Sequence, residues 1–378
     1  MKVVVVGGGI VGVSAAYHLA RQGVEVVLVD REDQGQATAA GAGIVSPWIS
    51  HRSKDPDWYR LARDSARYYH SLVSQLREGG EVDFGFRQVG ALAISRDSDE
   101  LDEMEARAYR HQTEAQEIGE ITRIAPGEVH RYFPPLRKDV GAVHITGAAR
   151  VDGSSLREAL KRAAQRHGAH VQQGDAQPEM TGSRVTGIRV QDEKIEADAV
   201  VAASGAWTAQ MLDRLGVAVP VAPQRGQIVH LQLPGNVDTA RWPVVMPTGS
   251  HYMLAFDDSR VVIGATREDD TGFDYRRTAG GMAEVLNEAL SVAPGLADGT
   301  IFETRVGFRP VTPDHLPLLG TVPQLPGLVI ATGLGPSGLT MGPYVGLLAA
   351  SLSLRESPAL DLKAYDPLRQ IEMKAESH

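Results

Sequence analysis

Apolar and polar positions along the chain follow two periods, and the switches between them mark most of the elements. Lys2 to Val6 is an unbroken β-branched run that predicts a buried strand. Ala15, Ala16 and Leu19 then keep a helical spacing up to Gly23, and VEVVLVD predicts a second strand ending at Asp30. From Trp58 to Arg77, Leu61, Ala62, Ser65, Tyr69, Leu72, Val73 and Leu76 recur three and four apart, the stripe of a core-facing helix. The segment from Asp97 has acids early, bases late, and an apolar stripe of only Leu101, Met104 and Ala108, so it predicts a solvated helix. Pro126 suits a helix start, with Pro134 and Pro135 ending that helix.

From Val151 the pattern predicts a capped helix with Gly168 just past its end and a strand beyond. A strand pair is expected near Val185–Val190 and Ala199–Ala203. The second half changes character. QIVHLQL, HYMLAFDD and RVVIGAT are short alternating or apolar runs, which predict a mostly antiparallel sheet with a hairpin turn at 257–259. From Leu328 the chain returns to a buried strand, a glycine turn and a helix. Between Asp30 and Trp58, the stretch ATAAGAGIVSPWISH starts with small side chains that let a backbone pass close to a flat ligand.

Composition narrows this picture. At 378 residues, with 43% hydrophobic and 22% charged residues, the chain is an ordinary globular protein of about two domains. A net charge of −9 argues against a nucleic-acid partner. No apolar stretch reaches the roughly 18 residues of a transmembrane helix, so a soluble, cytoplasmic protein is expected, with homo-oligomers allowed. The opening apolar run has a single lysine before it, and cleavage near Ala16 would cut a coherent βαβ unit; it reads as retained structure rather than a secretion signal. There is no cysteine, hence no disulfide, thiolate nucleophile or cysteinyl cofactor link, and the twelve histidines show neither HxH nor HExxH spacing. No metal site is expected.

The first candidate chemistry lies at the first turn. Gly7, Gly9 and Gly12 fall in a GxGxxG spacing between strand and helix: the first for a tight turn, the second for close approach to a pyrophosphate, the third for helix packing. Asp30 is placed to accept from a ribose, and its charge disfavours a 2′-phosphate. Taken alone, this leaves a nicotinamide and a flavin dinucleotide both open. The late turn favours the flavin, because Gly333, Gly335 and Gly338, with Leu339 and Thr340 opening a helix, can form a second wall around an isoalloxazine ring.

With these motifs in order, nearly the whole chain resembles the D-amino-acid oxidase superfamily of FAD-dependent oxidoreductases, in particular its glycine oxidase, sarcosine oxidase and D-amino-acid dehydrogenase branch. VVVVGGGIVGVSAAYHLARQG with VLVDRE is similar to the family's FAD fingerprint, and ATAAGAGIVSP to the segment under the flavin. VVAASGAW is similar to its internal strand and turn, and ATGLGPSGLTMGP to its closing flavin turn. QRGQIVHL, HYMLAFDDSRVVIGAT and VGFRPVTPDHLPLLG resemble the substrate-domain strands and the link back.

The resemblance implies an α/β fold: a Rossmann-like FAD-binding domain of discontinuous segments (1–80, 140–215 and 310–378) and a substrate domain with a mostly antiparallel sheet (81–139 and 216–309). It implies that Gly7, Gly9, Gly12, Asp30, Arg31, Thr38, Ala39, Ala40, Gly41, Gln177, Ala203, Gly205 and Trp207 hold FAD, together with Gly333, Gly335, Ser337, Gly338, Leu339 and Thr340. Arg309, in GFRP, corresponds to the arginine that holds a substrate carboxylate, and Tyr252 to a tyrosine over the flavin, on one strand face with Leu254 and Phe256. With no cysteine, and no histidine between Asp30 and His51, the FAD is expected to be non-covalent. His51 itself reads as a structural or surface residue. The implied reaction is hydride transfer from the Cα–H of a D-amino acid, glycine or N-substituted amino acid to flavin N5, giving an imino acid that hydrolyses, with oxygen or a quinone as acceptor. Two alternatives stand beside it: the flavin subunit of a multi-subunit amino-acid or opine dehydrogenase, and an NAD-dependent dehydrogenase.

Overall fold

The structure, a computed structural model, describes residues 1–370, so the last eight residues of the expected 310–378 segment lie outside it. Lys2–Val6 is the centre of a six-stranded sheet in the order Leu318–Thr321, Leu328–Thr332, Ala199–Ala202, Lys2–Val6, Glu25–Asp30, His170–Gln173. All neighbours are parallel except the antiparallel pair Leu318–Thr321 and Leu328–Thr332. Val3, Val4 and Val5 are fully buried because helices cover one face and a three-stranded layer the other, as an unbroken apolar run requires.

Two helices cover the first face side by side. Ile10–Arg21 comes directly after the first strand, and Gly338–Ser353 comes from the far end of the chain. They approach closely through small residues: an ideal Cβ on Gly342 would lie 2.5 Å from Ile10, and the Ser14 hydroxyl donates to the Pro343 carbonyl at 2.6 Å. Beside them runs Pro56–Glu78, capped by Asp55, with all seven residues of the expected stripe buried. Ser98–Gln112 is the expected polar helix with Leu101, Met104 and Ala108 buried, and it also buries Arg107. Asp152 caps Gly153–Arg166 by accepting from the Ser155 N–H at 2.9 Å, and Gly168 lies beyond its end with φ +95°.

The second sheet has eight strands in the order Thr300–Val311, Ala222–Gln232, Arg260–Gly264, Tyr252–Ala255, Val244–Pro247, Ala91–Ser95, Gly141–Ile145, Ile121–Ile124. Only Val244–Pro247 and Ala91–Ser95 run parallel. The hairpin expected at 257–259 joins Tyr252–Ala255 to Arg260–Gly264, with Ser259 at φ +59°. Helix Ala279–Val292 covers one face of this sheet and shares an apolar cluster with it through Val285 and Ala289.

Three local expectations change. No helix starts at Pro126: Gly127 has φ +86°, and the chain beyond it forms only a short 3-10 turn, Val129–Arg131. The apolar residues there, Val129, Phe133 and Leu136, are too few to sustain a stripe and are buried as turn anchors. Arg184–Val190 and Ala199–Ala202 are both strands but lie in different sheets, the first pairing with Ala176–Thr181 and Glu193–Glu196. Gly141–Ile145, inside the segment expected to belong to the cofactor domain, is hydrogen-bonded into the eight-stranded sheet.

Candidate active site

One cavity runs from the first glycine turn to the inner face of the eight-stranded sheet. At its near end the chain reverses at Gly7, whose φ of +109° is the left-handed region that glycine tolerates. An ideal Cβ on Gly12 would sit 1.8 Å from the Gly7 carbonyl oxygen, so the helix can lie against the turn only because residue 12 has no side chain. Helix Ile10–Arg21 has no side-chain cap and no acid in its first turn, which leaves its N-terminus for an anionic ligand. Thr38 Oγ1 accepts from the Ile10 N–H at 3.0 Å and ties the short helix Ala37–Ala40 to this end.

Asp30 lines the cavity but already carries three protein donors: the Gly8 N–H, the Glu32 N–H at 2.5 Å and the Gln36 amide at 2.9 Å. A carboxylate has about four lone-pair sites, so one remains for a ribose hydroxyl. Arg31 also lines the cavity and is steadied by Asp33 at 2.8 Å and Asp175 at 3.3 Å; those pairs hold its guanidinium above its ordinary pKa against the cost of burial. Gln177 lines the same end.

Gly9, Ala40, Gly41, Ala203, Gly205 and Trp207 continue the wall, and Gly335, Gly338 and Leu339 close it from the other side. Helix Gly338–Ser353 again has no side-chain cap and no first-turn acid. Five expected residues stand behind this wall rather than on it. Gly12 packs on Gly7, the Ala39 carbonyl accepts from Arg305, and Gly333 turns the backbone against Thr312. Ser337 accepts from the Trp58 indole N–H at 3.2 Å, and Thr340 donates to the Ile44 carbonyl at 2.8 Å. They hold the wall in place. His51 is exposed and does not line the cavity.

At the far end sits Arg309, half-buried, on strand Thr300–Val311. Its Nη1 donates to the Thr266 carbonyl at 2.9 Å and to Gln224 Oε1 at 3.2 Å. The Gln224 amide is itself oriented by donating to Asp269 at 3.0 Å. Thr266 is fixed in turn, its hydroxyl accepting from the Gln227 N–H and donating to Glu268. The Tyr252 side chain lies beside the guanidinium, close enough to interact with it electrostatically. Burial pushes the Tyr252 hydroxyl above its ordinary pKa, with the Arg309 charge pulling the other way, so Tyr252 remains a proton donor. Burial lowers Arg309, which Tyr252 opposes, and the group stays charged.

An arginine anchored by two hydrogen bonds thus shares one cavity with two glycine turns and their helix N-termini. A family model for FAD dependent oxidoreductases matches residues 2–352. The chain belongs to this family.

Among relatives of this oxidoreductase, the uncharacterized oxidoreductase YurR of Bacillus subtilis (strain 168) is 49% identical over 365 residues, 96% of this chain and 98% of its own. The glycine oxidase of Geobacillus kaustophilus (strain HTA426) is 30% identical over 377 residues, 98% of this chain and 97% of its own. Among solved structures, the iminodiacetate oxidase from Chelativorans sp. BNC1 matches with a TM-score of 0.94 at 49% identity, covering 97% of this chain and 98% of the other.

The cofactor is therefore FAD, and the nicotinamide alternative falls. The cradle fits it: two uncapped helix N-termini face one cavity, and neither a cysteine in the sequence nor a histidine on the wall is there to attach it covalently. The oxidoreductase binds FAD. Among the described residues, no helix is long and apolar enough to cross a membrane.

Sequence reading missed Gly226, Ser250 and Arg267, which line the same cavity as Arg309 and Tyr252. Hairpin register is the signal that finds two of them. Tyr252 pairs with Gly264, so continuing the ladder sets 266–267 opposite 249–250.

Proposed function

We propose that this flavoenzyme oxidises the C–N bond of a small α-amino acid with a primary or secondary amine. The observation that carries the reading is the pre-set Arg309 fork with the Tyr252 hydroxyl beside it, in the same cavity as the FAD cradle. The names of the glycine oxidase and iminodiacetate oxidase relatives support a small substrate and oxygen as the acceptor. The acidic, ordinary globular composition supports a soluble, cytoplasmic enzyme.

Arg309 takes the substrate carboxylate through the donors not held by Thr266 and Gln224, and Tyr252 donates its hydroxyl proton to the same carboxylate. Because Nη1 is locked before substrate arrives, little orientational entropy remains to be lost on binding. Phe308 and Ile228 on the cavity wall keep water from the reacting carbon. The amine enters neutral and no residue of the chain is needed as a base. When bound, FAD supplies the two-electron acceptor for the Cα–H hydride. The amine N–H proton leaves to solvent, and water splits the released imino acid into a 2-oxo acid and ammonia or an amine.

Product analysis with glycine, N-methylglycine, D- and L-amino acids tests this. One equivalent of 2-oxo acid and one of ammonia or amine are expected per electron pair. Arg309→Lys keeps the charge but loses the fork, and should lower kcat/KM by about 100-fold, roughly 3 kcal/mol. Wild-type kcat/KM in the lysine variant would disprove the carboxylate assignment.

A further inference from the structure

Charge is distributed unevenly along the cavity. Its lining carboxylates, Asp30, Asp33 and Asp175, all sit at the first glycine turn beside Arg31. The substrate end has no lining carboxylate, yet it has a second arginine, Arg267, on the same wall as Arg309, Tyr252 and Ser250. The peptide before Arg267 is the one whose carbonyl holds Arg309 Nη1 at 2.9 Å, so the two arginines share one anchor. Arg267 is close enough to act electrostatically on both Arg309 and Tyr252.

Acids adjoin Arg267 in sequence but are committed elsewhere. Glu268 binds Arg225, Gln227 and Thr266, and Asp269 binds Gln224. Among the described residues, the Arg267 guanidinium has no hydrogen bond or ion pair, and the residue is exposed. Two like charges converging on one mouth repel each other unless an anion joins them. One carboxylate satisfies Arg309 and leaves Arg267 in solvent. A substrate with a second carboxylate, on the far side of its amine, satisfies both.

Building on the proposed amino-acid oxidation, we infer that the substrate class is a dicarboxylic secondary amine of the iminodiacetate type: Arg309 holds the carboxylate next to the oxidised carbon and Arg267 reads the one carried on the amine substituent. Arg267 is a specificity-determining residue. The Cα–H adjoining the Arg309-bound carboxylate is lost as hydride to the flavin, and the amine proton leaves to solvent. Hydrolysis then gives a 2-oxo acid and an amino acid that keeps the second carboxylate.

The test compares iminodiacetate with N-methylglycine, which lacks only the second carboxylate, in FAD-loaded wild type and Arg267→Ala. A binding readout uses their unreactive thioether counterparts, thiodiacetate and methylthioacetate, followed through the spectrum of bound flavin. Wild type should favour the dicarboxylate in both kcat/KM and Kd. Arg267→Ala should lower the iminodiacetate to N-methylglycine ratio about ten-fold, with the same fall in the Kd ratio and partial rescue by Arg267→Lys. An unaltered ratio in Arg267→Ala, or a wild type that prefers N-methylglycine, overturns the role of Arg267 while leaving the amino-acid reading standing. Failure of wild type to oxidise or bind either pair would remove that reading, and the role of Arg267 with it.

Discussion

His18 is buried on helix Ile10–Arg21, with its Nε2 2.6 Å from the Tyr68 hydroxyl, and His230 is buried on strand Ala222–Gln232. Burial, with the nearby Arg21 charge, pushes His18 down to about 3; burial with Arg305 and Arg260 pushes His230 down to about 4. In the unfolded chain both titrate near 6.5. Below that pH the unfolded state binds protons that the folded state refuses, so stability falls as pH drops from about 6.5 toward 4. At pH 5 each histidine should cost about 2 kcal/mol. Thermal scans of the FAD-loaded protein at pH 7.5 and 5 check this. His18→Gln keeps a polar partner for Tyr68 and should recover about half of the two-histidine loss; an undiminished loss would contradict the assignment. Neither histidine's burial was legible in the sequence, because a lone histidine looks alike on an inward or an outward face of a helix or a strand. Arg309's place on the cavity follows a motif in the chain, whereas Arg267 carries no periodic signal in ATREDD and is brought to the cavity only by the fold.

The pairing of Ala222–Gln232 with Thr300–Val311 is the element that delivers Arg309. Gln224 lies opposite Arg309 and Gly226 opposite Gly307. The arginine side chain leans diagonally across the ladder onto Gly226, where an ideal Cβ would lie 2.6–2.8 Å from three guanidinium atoms. Any side chain at 226 must push the fork off Thr266 and Gln224. Gly226→Ala should therefore lower kcat/KM by about ten-fold or more while shifting the apparent Tm little, since flexible guanidinium atoms yield before backbone does. A large loss of Tm with full activity in the surviving protein would show that the glycine serves the sheet instead. Most elements were legible, since buried strands and striped helices write their period into the chain. The failures have a common cause. Pro126 and the strand Gly141–Ile145 lie where short apolar groups are sorted by tertiary partners rather than by local pattern.

Across the whole molecule, the cavity joins parts of the chain that are about three hundred residues apart in sequence. Helix Gly338–Ser353 packs on Ile10–Arg21 through small residues, so the late glycine turn faces the first one across the cofactor site. The glycine spacings were enough to read both turns. Which residues stand on the wall and which stand behind it was not readable, because Ser337 and Thr340 differ from their neighbours only in where the turn aims them. A cavity assembled in this way should pass electrons to FAD from an amino acid held by Arg309. Anaerobic mixing of the FAD-loaded enzyme with iminodiacetate, N-methylglycine and glycine measures that step alone, before any acceptor is involved. The visible flavin bands should bleach with at least one of these compounds and recover when air is admitted, and Arg309→Lys should slow the bleaching at sub-saturating substrate by about 100-fold. Flavin that no amino acid bleaches, or that bleaches equally fast in Arg309→Lys, would contradict this transfer.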